Sequence, residues 1–522
     1  MLARSRIVYG AALLAAVAPL WMGAHLPMVD LPQHLHLISV LHRLQDPSTL
    51  YPQWFALRGE LTPYLGYYYV VHLLNWLMPE VWANALFLSA YVAGMALGLA
   101  FLLSSLGRPT WPSLLALPFA YGDSFAWGFV NYCAALPLCF LCMGLFVRAI
   151  SDVPRRKAWA VGLGATLVAV LLFHVQVFAY LGLALPLLLA TTSAPEDAAA
   201  GRDWKALARP RVYAIAGVAP GVALFLAWVV GRLGAPAEIA PGQPWKAWGP
   251  MLSKENLSFK TPAQNWAEFP QVLANMLRDR TDRYALYAVV AVAAAGWALG
   301  LATQTRQAPS EGRIERFRLL VLGLLAAGLF LTLPFDIRGY MYYLNTRYAH
   351  LAAPLLLAAV PPVQLRVARA LTAAAALSAL VLALPLARAF RAFDAEATPL
   401  DALAAAAGPR PMVMGLIFDT SSQVVNHPVF LHAATVIARE RGGASNFSFA
   451  STPHSPLKYR ASPPATFPSE WHPEQFDYAR MGPAYDTFLI RGPAPERVLP
   501  ELLNASGPTV ERVGPWSLVR RR

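Results

Sequence analysis

Residues 61–72 read Leu-Thr-Pro-Tyr-Leu-Gly-Tyr-Tyr-Tyr-Val-Val-His, with Pro63 inside the stretch and Pro79 just beyond it. The segment is apolar, but it is short and crowded with aromatic rings. A membrane-spanning helix needs about 20 consecutive apolar residues. Tyr and Trp concentrate where hydrocarbon meets water. The stretch therefore reads as an interfacial or re-entrant helix rather than a span. Counting it as a span would reverse every later loop and move the basic loops to the opposite side.

The rest of the chain fits a membrane protein. Of 522 residues, 57% are hydrophobic and 14% charged, and the mean hydropathy is +0.43. A soluble domain carries about 25% charged residues, and no aqueous fold could bury so much apolar surface. Apolar runs suggest about eleven spans, at 7–27, 81–106, 111–123, 126–148, two within 158–191, 212–231, 284–303, 319–334, 347–364 and 370–387. The fold class expected is an α-helical polytopic membrane protein of about 11 spans. Residues 1–387 form the transmembrane domain, with a first outer loop at 28–80.

The net charge of +13 excludes nucleic acid as the natural partner once the basic residues are placed. They fall in alternate loops: Arg148, Arg155, Arg156 and Lys157; Arg202, Lys205, Arg209 and Arg211; Arg306, Arg313, Arg316 and Arg318; Arg366 and Arg369. That alternation is the positive-inside pattern. It places the N-terminus in the cytoplasm, the chain in the cytoplasmic membrane, and the C-terminal domain outside. Arg388 and Arg391 depart from it mildly. Residues 388–522 lack a spanning run and read as a small extracytoplasmic α/β domain. Its strands are expected at 412–418, 485–491 and 516–519, with helices at 429–441 and 496–503 and a Pro/Ser-rich loop at 451–473. Cys133, Cys139 and Cys142 share one apolar stretch with no metal or disulfide spacing.

Candidate chemistry gathers on the outer face. Asp30 precedes Leu31-Pro32 and can cap a helix there. Leu35, Ile38, Leu41 and Leu44 repeat at helical spacing, as in a helix lying on the membrane surface. A carboxylate at the lip of a membrane cavity is equally a general base or a metal ligand, with His34 one turn on. His36 and His42 read as interfacial. His174, in Leu-Phe-His-Val-Gln-Val-Phe, is either a functional group at depth or a polar residue at a helical hairpin. Residues 335–350 carry Arg338, Tyr342, Arg347 and Tyr348. The arginines can grip a phosphate while the rings contact sugar or lipid; the same loop also suits an aromatic belt. None of the eleven histidines falls in a basic loop. No Walker loop, Gly-x-Ser-x-Gly elbow or His-Glu-x-x-His motif is present.

This layout resembles the GT-C superfamily of membrane glycosyltransferases. Asp30 matches the acidic position near the start of the family's long first outer loop. Pro63-Tyr-Leu-Gly-Tyr-Tyr-Tyr is similar to its Pro-aromatic segment, and Asn345-Thr-Arg-Tyr-Ala-His-Leu-Ala-Ala-Pro to an Arg-Tyr…Pro run opening a late span. The resemblance covers 1–387 in layout and only these runs in motif. It implies sugar transfer from a polyprenyl-phosphate donor to a glycan, lipid or protein acceptor. Asp30 would act as base or orienting group, Arg347 and Arg338 at the lipid phosphate, and His34 and His174 on substrate. A divalent metal on Asp30 and His34 is a candidate cofactor. The family's usual second acid has no obvious match; Glu60 and Asp123 are candidates. A transporter or flippase, and a non-catalytic envelope assembly partner, are the rival readings. Against a transporter, no internal repeat is visible and most spans are uncharged.

Overall fold

The computed structural model describes residues 3–197, 203–234, 254–303, 317–337, 341–460, 470–505 and 507–521. Arg338, one of the candidates above, lies outside them, as do Arg202, Arg306, Arg313 and Arg316 of the basic loops.

Among the described residues, six helices are long and apolar enough to cross a bilayer: Glu80–Ser105, Val130–Ser151, Val153–Phe173, Trp204–Gly231, Thr281–Ala302 and Leu365–Ala406, the last including a short break. Shorter apolar helices lie at Arg6–Trp21, Val175–Thr191 and Arg318–Thr332. The chain is thus a multi-pass membrane protein with a small C-terminal domain built on a sheet. Where a span was expected at 111–123, the chain instead forms an 11-residue 3₁₀ helix, Trp111–Tyr121, buried throughout. Pro112 and Pro118 remove two donors from an α-helical ladder. The tighter rise lets 11 residues cover about 22 Å.

Two ends of the bundle are fixed by polar contacts. At one, arginines of the basic loops meet: Arg148 donates to Ser104 O at 3.2 Å, Arg156 pairs with Glu196 at 2.7 Å, and Arg211 pairs with Asp197 at 2.8 Å. At the other end lie Asp30, Trp127, His174, Arg347 and the C-terminal domain. The helix Gly66–Leu74 forms there, as the aromatic stretch suggests, and at nine residues it is about 14 Å long. It does not span. Tyr67 anchors it, its N–H donating to Asn131 Oδ1 and its hydroxyl to Asn84 Oδ1. Tyr69, Val70, Leu73, Trp76 and Leu77 on and after it are exposed.

The C-terminal sheet uses strands β1 (Met412–Ile417), β2 (Ala444–Ser445), β3 (Thr487–Arg491), β4 (Thr509–Val513) and β5 (Trp516–Arg520), in the order β2-β1-β3-β5-β4. β1 is parallel to β2 and β3; β5 runs antiparallel to β3 and β4. Three strands and the helix Ala433–Arg441 fall where hydropathy puts them. The residues 496–503 expected as one helix form two short ones, Pro495–Val498 and Pro500–Ala505, because Pro500 interrupts the run.

This domain is not a separate body. Residue 387, where the apolar run ends, lies inside the helix Leu365–Ala397. At 33 residues that helix is about 50 Å long, well beyond a hydrocarbon core of about 30 Å. Its far end carries Phe390, stacked on Phe125, and Phe393, packed on Phe430 of the tail. A strand in the first loop, Phe55–Leu57, pairs antiparallel with Leu457–Tyr459, inside the stretch expected to be loop.

The helix expected to lie on the membrane surface exists as Leu31–His42, but it does not face lipid along one side. Leu31 and every residue from Gln33 to Val40 are buried. The tail covers what would otherwise be its outer face: Gln33 Nε2 donates to Thr435 Oγ1 at 2.9 Å and Phe447 O at 3.1 Å. The apolar spacing marked one buried face; the second cover comes from residues about 400 positions later.

The junction is also tied by charge. Arg439 Nε lies 3.2 Å from Glu80 Oε1 at the start of a spanning helix, and Arg439 is 7% exposed. Removing one partner of such a pair leaves a buried charge. Arg439→Met is expected to destabilise the full chain by about 3 kcal/mol, lowering its thermal unfolding midpoint in detergent. Adding Glu80→Gln is expected to recover part of the loss. An unchanged midpoint for the single variant would show that this pair does not hold the tail to the bundle.

Candidate active site at the junction of bundle and tail

Asp30 sits at the N-terminus of the helix Leu31–His42, yet its side chain makes no capping bond. The carboxylate instead reaches across to the tail, where His432 Nε2 lies 3.3 Å from its Oδ1. The main chain around Asp30 is held by its neighbour: Asp30 N donates to Trp127 O at 3.1 Å and Val29 N to Ala126 O at 2.9 Å. Gly128 closes this contact. Its φ is +88°, and a Cβ there would meet the Asp30 Cβ and N at 2.9 Å. Only glycine combines that backbone angle with that approach.

His432 is 5% exposed and touches two carboxylates: Asp30 on one ring nitrogen and Glu470 Oε1, at 2.5 Å, on the other. Burial disfavours its charge, but Glu470 and Asp30 outweigh burial and push it up to about 10. It is therefore an imidazolium at neutral pH, sandwiched against the Phe447 ring at 5.8 Å.

His34 behaves oppositely. Burial holds it down to about 4, so it is neutral. Its Nε2–H donates to Gly128 O at 3.1 Å, which leaves Nδ1 to accept the Tyr68 hydroxyl at 2.8 Å. Both ring nitrogens are engaged, so His34 has no lone pair for a metal. Among the described residues no group of three or more His, Cys, Asp or Glu side chains is placed to hold a metal ion. With both ring nitrogens of His34 engaged, the pair Asp30 and His34 does not fit the candidate metal site.

Asp123 opens the short helix Asp123–Trp127. Its Oδ1 lies 2.8 Å from His427 Nε2, a second tail histidine. Trp127 stands edge-on to His427 at 5.6 Å and against Tyr343 at 5.0 Å. Tyr343 is raised to about 12 by burial, then by Asp123 and Asp30, so both carboxylates bear on one ring. Asp123, rather than the exposed Glu60, is thus the second acid beside Asp30.

Arg347 enters from the 3₁₀ turn Thr346–Tyr348 and is 9% exposed. Its guanidinium lies over the Phe129 ring at 4.5 Å. Nη1 is 3.4 Å from both His174 Nε2 and Gln176 Oε1, and Nε has no partner among the described residues. His174 also accepts from Gln176 N–H at Nδ1, at 3.3 Å. A neutral imidazole offers one lone pair, so Arg347 keeps donor capacity to spare. Asp30 lies close enough to act on its charge. Tyr64, held at φ +74°, packs its ring on His174 at 4.7 Å and on His454 of the tail at 4.9 Å.

Asp30, His34, His174 and Arg347 thus converge, and Tyr348 lies buried beside Tyr180 behind them. Tyr342 does not join them: it is 57% exposed. Its neighbour Tyr343 turns inward, because φ of +57° reverses the chain at that residue. His427, His432, Glu470 and Tyr343 carried no local motif. Four histidines in a small tail were the sole hint.

The raised His432 gives a pH signature. A group charged more readily in the folded state than in the unfolded chain stabilises fully below its ordinary value near 6.5 and loses that contribution as pH rises through its folded value of about 10. The wild-type free energy of unfolding is expected to fall between pH 7 and pH 10 more than that of His432→Gln, by on the order of a few kcal/mol. Parallel pH dependences would show that His432 is not held charged.

No protein-family model and no curated protein matches the chain. Two solved structures of ArnT from Cupriavidus metallidurans are similar to it, each covering 99% of this chain and 97% of that one at 12% identity. They are the apo state, with a TM-score of 0.44, and the form bound to undecaprenyl phosphate, with a TM-score of 0.41.

Proposed function

We propose that the protein is a membrane glycosyltransferase that moves a sugar from a polyprenyl-phosphate donor to an acceptor hydroxyl at the outer face of the cytoplasmic membrane. The observation that carries this reading is the meeting, in one site, of an uncapped carboxylate and a buried arginine with spare donors. The first is what an acceptor needs, and the second what a departing lipid phosphate needs. The motif resemblance to GT-C enzymes at Asp30, at Pro63 to Tyr69 and at Asn345 to Pro354 supports it.

In this reading the Asp30 carboxylate accepts the proton of the acceptor hydroxyl. The acceptor oxygen bonds to the anomeric carbon as the bond from that carbon to the phosphate oxygen breaks. The electron pair leaves with the lipid phosphate, whose added charge is met by the unpartnered face of Arg347. Burial beside Phe129 and Tyr132 lowers the local dielectric and strengthens that contact. Gln176 Oε1 accepts from the guanidinium and steadies it. The acceptor reaches the site beside the tail, whose Trp471 is half exposed near Trp127.

The test is transfer from a labelled polyprenyl-phosphate sugar by the full chain in liposomes. Asp30→Asn is expected to lower turnover by on the order of 10³-fold, and Arg347→Lys, which loses the planar fork, by on the order of 10²-fold. Unchanged turnover in Asp30→Asn would remove the base from this scheme. Movement of the lipid-linked sugar across the membrane without any covalent product would favour a flippase instead.

A further inference from the structure

Three charged groups lie outside the contact proposed for the donor phosphate. A cavity of about 380 Å³ lies beside His25, Asp401, Arg439 and Glu440. His25 pairs with Asp401 there, Arg439 with Glu440 and Glu80, and Arg441 Nε donates to Gly408 O, so these groups are engaged within the chain. The pair of Asp123 and His427 buttresses Trp127. The third group is the chain of carboxylate, imidazolium and carboxylate through His432, and it acts directly on Asp30.

Resting on the function proposed above, we infer that His432, anchored by Glu470, is a positioning residue that aims the Asp30 carboxylate. Asp30 lacks the local restraint that its place in the chain would supply, since it makes no capping bond. Its Oδ1 is instead fixed by His432 Nε2 at 3.3 Å, and Glu470 fixes the far side of the same ring at 2.5 Å. Phe447 stacks on the imidazole and Phe449 stands edge-on to it, so the ring has one orientation. With Oδ1 occupied, Oδ2 is the oxygen left to face an acceptor.

The other charged or titratable groups around Asp30 are His34, Tyr68, Tyr343 and Arg347. His34 is neutral, and the hydroxyl of Tyr68 is spent on it. Arg347 Nη1 donates to Gln176 Oε1, and its guanidinium lies over the Phe129 ring. The cation in contact with the Asp30 oxygen is therefore His432. Taking it away leaves a half-buried carboxylate without an orienting donor, and small misplacements of a reacting group cost about 10²-fold in rate.

The experiment uses the full chain in the transfer assay with labelled polyprenyl-phosphate sugar. His432→Ala is expected to lower kcat by on the order of 10²-fold with KM within about twofold. Added imidazole, entering the space left by the side chain, is expected to restore at least about tenfold. Glu470→Gln keeps the ring but loosens it, and is expected to lower kcat by about tenfold. Full turnover in His432→Ala overturns the inference and leaves the proposed function standing. A loss that imidazole does not relieve, with an equal fall in the unfolding midpoint, also overturns it, because His432 would then only brace the tail. A wild-type chain that transfers no sugar overturns the proposed function, and the inference with it.

Discussion

A helix buried on every side must satisfy its polar groups within the protein, and the helix Leu31–His42 sets that constraint for the whole molecule. Gln33, His34, His36 and Ser39 all lie in its interior face-to-face packing. An unpaired buried polar group costs about 1–3 kcal/mol. Gln33 is satisfied by Thr435 and Phe447, and His36 donates from Nε2 to Gly443 O at 3.2 Å. His34 is satisfied by Tyr68 and Gly128. Three of the partners are tail residues and two belong to the bundle region. The helix can be stable only where both have come together, so it works as the joint of the structure.

The same joint explains the unequal behaviour of its histidines. His34 and His432 are both buried near Asp30, yet one is neutral and the other charged. The difference is the second carboxylate. Glu470 adds its charge to that of Asp30 at His432, and the sum exceeds the burial penalty. His34 feels Asp30 without touching it, and burial prevails. A neutral histidine beside a charged one lets the site keep a negative carboxylate on one side while its opposite wall stays uncharged.

Much of this was legible from the chain. Apolar run length located the long helices, and Arg148, Arg156 and Arg211 of the basic loops are tied by polar contacts close to helix ends. Asp30 and Arg347 stood out because an acid before Leu-Pro and an arginine at the head of a span are unusual places for charge. The expected span at 111–123 is a 3₁₀ helix because prolines change the rise per residue without changing hydropathy. Tyr342 was preferred over Tyr343 because a left-handed residue leaves no trace in side-chain periodicity. His432 and Glu470 were invisible for another reason. Their meaning lies in a contact with residue 30, and pairing across about 400 positions has no local pattern. Leu457–Tyr459 was hidden in the same way: a three-residue strand pairing with the first loop looks like loop when read alone.

The span between residues 30 and 432 also bears on how the protein is made. Asp30 leaves the ribosome about 400 residues before His432. At about 5–20 residues per second, the two are separated by roughly 20–80 s of synthesis. During that interval the first outer loop has neither its covering domain nor the imidazolium beside its carboxylate. Closing so long a loop comes late and slowly in folding. A half-made chain inserted in the membrane therefore holds its reactive groups apart. The contact between Asp30 and His432 forms only when the tail has folded back onto the first outer loop.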